Sequence, residues 1–172
     1  KAVVIALRRF PDFRSSRHPE GQSLIRKNYF HLGIAVDTEE GLVVPVVRHA
    51  DRLSLTGIAL AIEDLGGRAR TRKLSPDDLR GGSFTISNPG RSGNLYGFAI
   101  INQPQVAILS TDGVSRKPVV VVDEGGEESI AIHSVGVLAL AWDHRAFDGA
   151  YAAAFLGRVR QVIETRDWET EL

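Results

Sequence analysis

Residues 130–149 read IAIHSVGVLALAWDHRAFDG, an apolar run that ends abruptly in a charged turn. From Ile130 to Trp142 the run is apolar at odd and even positions alike, which predicts one strand buried on both faces in the middle of a sheet. After the turn, Ala152, Phe155, Leu156, Val159 and Ile163 recur at helical spacing, predicting a helix from about Asp148 to about Thr165. Asp148 stands at the N-cap position of that helix, where its carboxylate can accept backbone amides and pair with Arg145. His144 follows the strand end, where a histidine can be held rigidly while its ring faces an opening. The same seven residues, Asp143 to Gly149, also suit an ordinary turn with a capping Asp, a surface Arg and an incidental His.

Upstream, residues 118–122 (PVVVV) and 105–110 (QVAILS) read as strands, and Asp123-Glu124-Gly125-Gly126 as a hairpin turn. Residues 83–87 (SFTIS) form a further strand. Alternation puts Ser83, Thr85 and Ser87 on one face and Phe84 and Ile86 on the other, which taken alone describes a strand with a solvated hydroxyl face. Residues 29–47 hold two strand-like runs around a Glu40-Gly41 turn, with Pro45 marking an edge or a bulge. Ser54 is an N-cap for a helix over about 55–71, and Ser75 to Leu79 is a capped turn. Residues 1–9 are helical and residues 12–22 loop-like. The order of elements predicts an α+β domain, a mixed sheet with helices on one face.

The 172 residues suit one domain with a sizeable core. With 21 Lys plus Arg against 21 Asp plus Glu, no net field draws the chain to nucleic acid or to an acidic membrane. There is no cysteine, hence no disulfide, thiolate metal site or cysteine nucleophile. No apolar run approaches the roughly 20 residues that span a bilayer, and no secretory leader opens the chain. It opens on Lys1 in an apparent helix and contains no methionine, the expectation being a piece of a longer polypeptide.

Other chemistries fare poorly. His18, His31, His49 and His133 lack partners at metal-ligand spacing, and His133 reads as a core residue of the buried strand. His144 and Asp148 are four apart but lack a third ligand, so no metal is expected. No G-x-S-x-G surrounds any serine. The loop Gly90-Arg91-Ser92-Gly93-Asn94 lacks the Gly-Lys-Ser/Thr ending of a phosphate-binding loop.

Asp143-His144-Arg145-Ala146-Phe147-Asp148-Gly149 resembles the DHRxxDG signature of the dihydrolipoyl acyltransferases, the E2 components of 2-oxo acid dehydrogenase complexes. It is more specific than the HHxxxDG motif of the wider chloramphenicol acetyltransferase-like superfamily. GLVVPVV at 41–47, DLRGGSFTISNPG at 78–90 and IINQPQVAIL at 100–109 resemble the same catalytic core in the same order. The resemblance implies a chloramphenicol acetyltransferase-like fold and a catalytic domain spanning 1–172, without the strand and helix that open the family's core and without lipoyl or subunit-binding domains. It implies acyl transfer, acetyl or succinyl favoured, between dihydrolipoyllysine and coenzyme A, with the lipoyl group carried on another domain.

His144 is then the base, Ser87 the donor to the oxyanion, Asp148 part of the catalytic set, and Arg145 and Asp143 the residues that orient the turn. Ser87 is favoured over its neighbour Thr85. The partners implied are other copies of the chain (a trimer, then a cubic or icosahedral core), the lipoyl domain, and the E1 and E3 components through the full-length chain. The implied location is the bacterial cytoplasm, or the mitochondrial matrix in a eukaryote. Two other readings stay open: a core that assembles without catalysis, and an acyl-CoA transferase acting on a hydroxyl acceptor.

Overall fold

The structure, a computed structural model, describes residues 1–18, 23–89 and 97–171. In chain order the helices and strands are α1 (Ala2–Arg9), β1 (Ser15–Arg17), β2 (Leu24–Arg26), β3 (Leu32–Ile34), β4 (Val36–Thr38), β5 (Gly41–Val43) and β6 (Val46–Val47). They continue as α2 (Leu55–Arg70), β7 (Phe84–Ser87), β8 (Ala107–Thr111), β9 (Ser115–Val122), β10 (Glu128–Val135), β11 (Leu138–Trp142) and α3 (Gly149–Thr165).

The main sheet has five strands in the order β11-β8-β7-β3-β6. Its central pairs, β8 with β7 and β7 with β3, are parallel, and both outer pairs are antiparallel. Leu32, Phe84 and Leu109 leave the sheet on one side and join Leu7 of α1, Leu65 of α2 and Phe155 and Val159 of α3 in a single core. The mixed sheet with helices on one face is therefore as the alternation predicts. No helix among the described residues is long and apolar enough to cross a membrane.

The local signals hold. The Ser54 hydroxyl accepts the Gly57 amide at 3.0 Å, and Ser75 and Asp78 form a reciprocal capping box. Asp123 closes the 123–126 turn by accepting the amides of Gly125 and Glu127. Asp78, gripped by the Arg68 guanidinium and by Ser75, sits well below the usual carboxylate range.

Three expectations need correction. The run from Ile130 to Trp142 is two strands broken at Gly136-Val137, and neither is central: β10 belongs to a separate hairpin with β9, while β11 is an edge of the main sheet. A run apolar on both faces reads as buried only if something covers it, and here Val120 and Ile130 are 63% and 77% exposed. His133, on β10, is exposed too and is not a core residue. The stretch 12–22, read as a loop, contains a turn of 3₁₀ helix at Pro11–Arg14 and then β1, which pairs with β2. Strands of three residues are too short to carry a periodicity.

The Gly90–Asn94 loop lies outside the described residues.

Candidate active site

The turn after β11 is built on Asp143. Its amide donates to the carbonyl of Val106 at 2.8 Å, extending the β11–β8 pairing by one step, and its carbonyl accepts the Ala146 amide at 2.8 Å. Its carboxylate takes the Arg145 guanidinium in a two-pronged grip, Nε to Oδ1 and Nη2 to Oδ2 at 2.8 Å each, and Oδ1 also accepts the Arg145 amide at 3.0 Å. Arg17 Nη1 stands 3.7 Å from Oδ2 as well. Above all through Arg145, the Asp143 carboxyl is held down at about 2. The expected pairing of Arg145 with Asp148 is thus overturned. A carboxylate two residues back in a tight turn reaches the guanidinium, whereas Asp148 is turned toward its helix.

Asp148 is the N-cap of α3, its Oδ1 accepting the Tyr151 amide at 2.9 Å. Between the two carboxylates, Phe147 packs on Phe13 with ring centroids 4.4 Å apart and on Tyr151 at 5.3 Å. Phe13 is fully buried and stacks on Phe155 at 4.0 Å. The polar turn is therefore tied to the core by its one large apolar side chain. Sequence reasoning missed this role; an aromatic inside an otherwise charged turn is the signal.

His144 is exposed at the tip, its ring 5.8 Å from that of Trp142, and its nitrogens take no hydrogen bond among the described residues. A cleft of about 530 Å³ opens beside the turn, with Asp143 and Arg145 on one wall and Gln103 and Gln105 on another.

The hydroxyl row formed by Ser83, just before β7, and Thr85 and Ser87 on it is sorted by its partners. Ser83 accepts the His31 amide at 3.1 Å and donates to the His31 carbonyl at 3.0 Å. Thr85 donates to Gln105 Oε1 at 2.7 Å, and a Cβ added to Gly33 opposite would come within 2.8 Å of its hydroxyl. Both residues are buried, so the row is not a solvated face. Ser87, half-buried at the end of the strand, is the hydroxyl of the three with no partner among the described residues.

Within one copy of the chain, Ser87 and His144 lie at opposite ends of the sheet. Ser87 pairs with Ser110, and Ser110 with Ala139. Trp142 is three residues further along β11, about 10 Å, and His144 lies beyond it; two strand spacings add about 10 Å sideways. The structure thus joins Asp143, Arg145 and His144 in one turn with Asp148 at its end, and does not bring Ser87 to them. Among the described residues no group of three or more His, Cys, Asp or Glu side chains could hold a metal.

The profile of the catalytic domain of 2-oxoacid dehydrogenases acyltransferase matches residues 1–170. The acetyltransferase component of the pyruvate dehydrogenase complex of Mycobacterium tuberculosis is 44% identical over the whole chain, which covers 31% of that protein. Two Bacillus subtilis relatives are similarly close. The lipoamide acyltransferase of its branched-chain alpha-keto acid dehydrogenase complex is 41% identical over the whole chain, covering 39% of that protein. The succinyltransferase of its 2-oxoglutarate dehydrogenase complex is 42% identical over 95% of the chain, covering 38% of it. The chain thus spans about a third of the length of these relatives.

Among solved structures, dihydrolipoamide acetyltransferase of Azotobacter vinelandii superposes with a TM-score of 0.86 at 40% identity, over 96% of this chain and 66% of that one. That structure addresses the role of a serine, a histidine and an asparagine in the catalytic mechanism of that enzyme. The cubic core of a pyruvate dehydrogenase complex matches at 0.86 and 41%, over 96% of this chain and 66% of that one. Chloramphenicol acetyltransferase matches at 0.54 and 14%, over 95% and 74%, a likeness of fold alone.

Proposed function

Because the chain belongs to the 2-oxoacid dehydrogenase acyltransferase family, whose catalytic domain matches residues 1–170, we propose that it moves an acyl group directly between the thiols of dihydrolipoyllysine and coenzyme A. His144 is the base in this reading. A free thiol has a pKa near 8.5, so a neutral imidazole within hydrogen-bond reach takes its proton as the sulfur attacks the thioester carbonyl. Ser87 donates to the oxygen that becomes negative, and collapse of the adduct expels the second thiolate, which takes the proton back from His144. Neither substrate needs a protein nucleophile or a metal. Asp143 and Arg145 keep the turn in shape, and Asp148 caps α3 so that the turn and the helix meet at a constant angle.

The observation that carries this reading is that Ser87, whose hydroxyl has no partner among the described residues, and His144 are held by the strand register at opposite ends of the sheet. Each end then presents half of a site, and two copies in head-to-tail contact complete it. The similarity to a cubic core structure supports such self-assembly, and the rest of the parent complex, E1, E3 and the lipoyl domain, would be met through the full-length chain.

Subunit complementation tests it. His144→Ala and Ser87→Ala proteins should each lose at least about 10²-fold in turnover. Unfolded, mixed one to one and refolded, they should recover about a quarter of the sites, those drawing each intact residue from a different copy. A mixture as inactive as its parents overturns the shared site.

A further inference from the structure

Beside Ser87 the chain carries a buried carboxylate that the acyl-transfer mechanism leaves unused. Asp112 follows β8 and is 4% exposed. Its Oδ2 accepts the Gly97 amide at 3.1 Å, and its Oδ1 receives the Ser110 hydroxyl at 3.4 Å. Among the described residues no cation pairs with it. Ser110, itself buried, is the residue directly opposite Ser87 on the neighbouring parallel strand, so their side chains share a face.

The surroundings converge on the same point. A Cβ added to Gly97 would lie 2.9 Å from Asp112 Oδ1, 3.4 Å from Ser110 Oγ and 3.8 Å from Pro89 Cγ. The carboxylate, Ser110 and the segment just after Ser87 therefore meet in one place. With one strand spacing between Ser110 and Ser87, the negative charge is within roughly 8 Å of the Ser87 hydroxyl.

We propose that Asp112 sets acyl specificity, excluding acyl groups that carry a carboxylate and leaving neutral ones, acetyl or branched aliphatic, as substrates. The inference rests on the acyl-transfer reading of Ser87. Every acyl group generates an oxyanion at Ser87, so repulsion between that oxyanion and Asp112 is common to all donors and cancels in their ratio. The second negative charge of a succinyl group does not cancel. At the effective dielectric of about 20 that holds near a protein surface, two like charges at this range separate otherwise similar donors by about tenfold or more.

The test uses the full-length protein with dihydrolipoamide as acceptor and acetyl-, isobutyryl- and succinyl-coenzyme A as donors. Wild type should show a kcat/KM for succinyl at least about tenfold below that for acetyl. Asp112→Asn keeps an acceptor oxygen for the Gly97 amide and removes the charge; it should narrow the ratio by about tenfold, through faster succinyl transfer. Asp112→Ser, with circular dichroism as the check on folding, should move the ratio the same way. Succinyl as a fast donor in wild type overturns the proposal, as does a ratio unchanged in both variants or narrowed only by slower acetyl transfer. If neither variant folds, the wild-type donor ranking decides. No transfer from any donor would instead strike at the acyl-transfer reading, and this inference would fall with it.

Discussion

The turn at 143–149 and the β9–β10 hairpin invert each other. The turn is charged in sequence yet bound to the core through Phe147 and Phe13, with the Asp143 carboxylate gripping Arg145 and the Asp148 carboxylate holding the Tyr151 amide. The hairpin is rich in valine and isoleucine yet stands apart from the main sheet, with Val120, Val122, Ile130 and Ile132 all exposed. Val120 and Ile130 sit directly opposite each other, so these side chains form one continuous apolar face. Apolar character measures what a segment gains from burial, and only neighbours in space can supply that burial.

The comparison breaks most sharply at Phe13. Phe13→Ala empties a fully buried site beneath the turn and should cost about 3–5 kcal/mol in chemical denaturation. A loss under about 1 kcal/mol would mean that the turn does not depend on its aromatic anchor.

Asp148→Ala removes the cap of α3 and should cost about 1 kcal/mol, with turnover falling more than either KM changes. Unchanged turnover would reduce Asp148 to an ordinary helix cap.

A smaller effect is expected at Asp143, and it is lost in acid. Its carboxyl sits at about 2 when folded, below its unfolded value near 4. Its contribution is therefore complete above about pH 4 and disappears as pH falls from there to about 2. Denaturation of wild type and Asp143→Asn at about pH 6 and pH 2.5 should show a stability gap that closes in acid; a constant gap would exclude the Arg145 ion pair as its source.

The smallest effect is expected in the hairpin. Ile130→Ser on an exposed face should leave the stability of the isolated chain within about 0.5 kcal/mol. A much larger loss would show that the face is covered in solution.

Where a residue's role depends on groups a few positions away, the sequence determined it. Ser54, Ser75 and Asp148 cap the elements they precede, Asp123 closes its turn, and alternation sends Phe84 to the core and Ser87 to the other face. Only the tertiary structure decided the rest. Burial of the Ile130–Trp142 run depends on what lies opposite it, so its division into an exposed hairpin strand and a sheet edge was not legible. Arg145 had carboxylates on either side in sequence, and turn geometry chose Asp143. Three hydroxyls shared one face of β7; His31 and Gln105, distant in the chain, occupied two and left Ser87. The separation of Ser87 from His144 follows from the register of three strands, which long-range pairing alone sets.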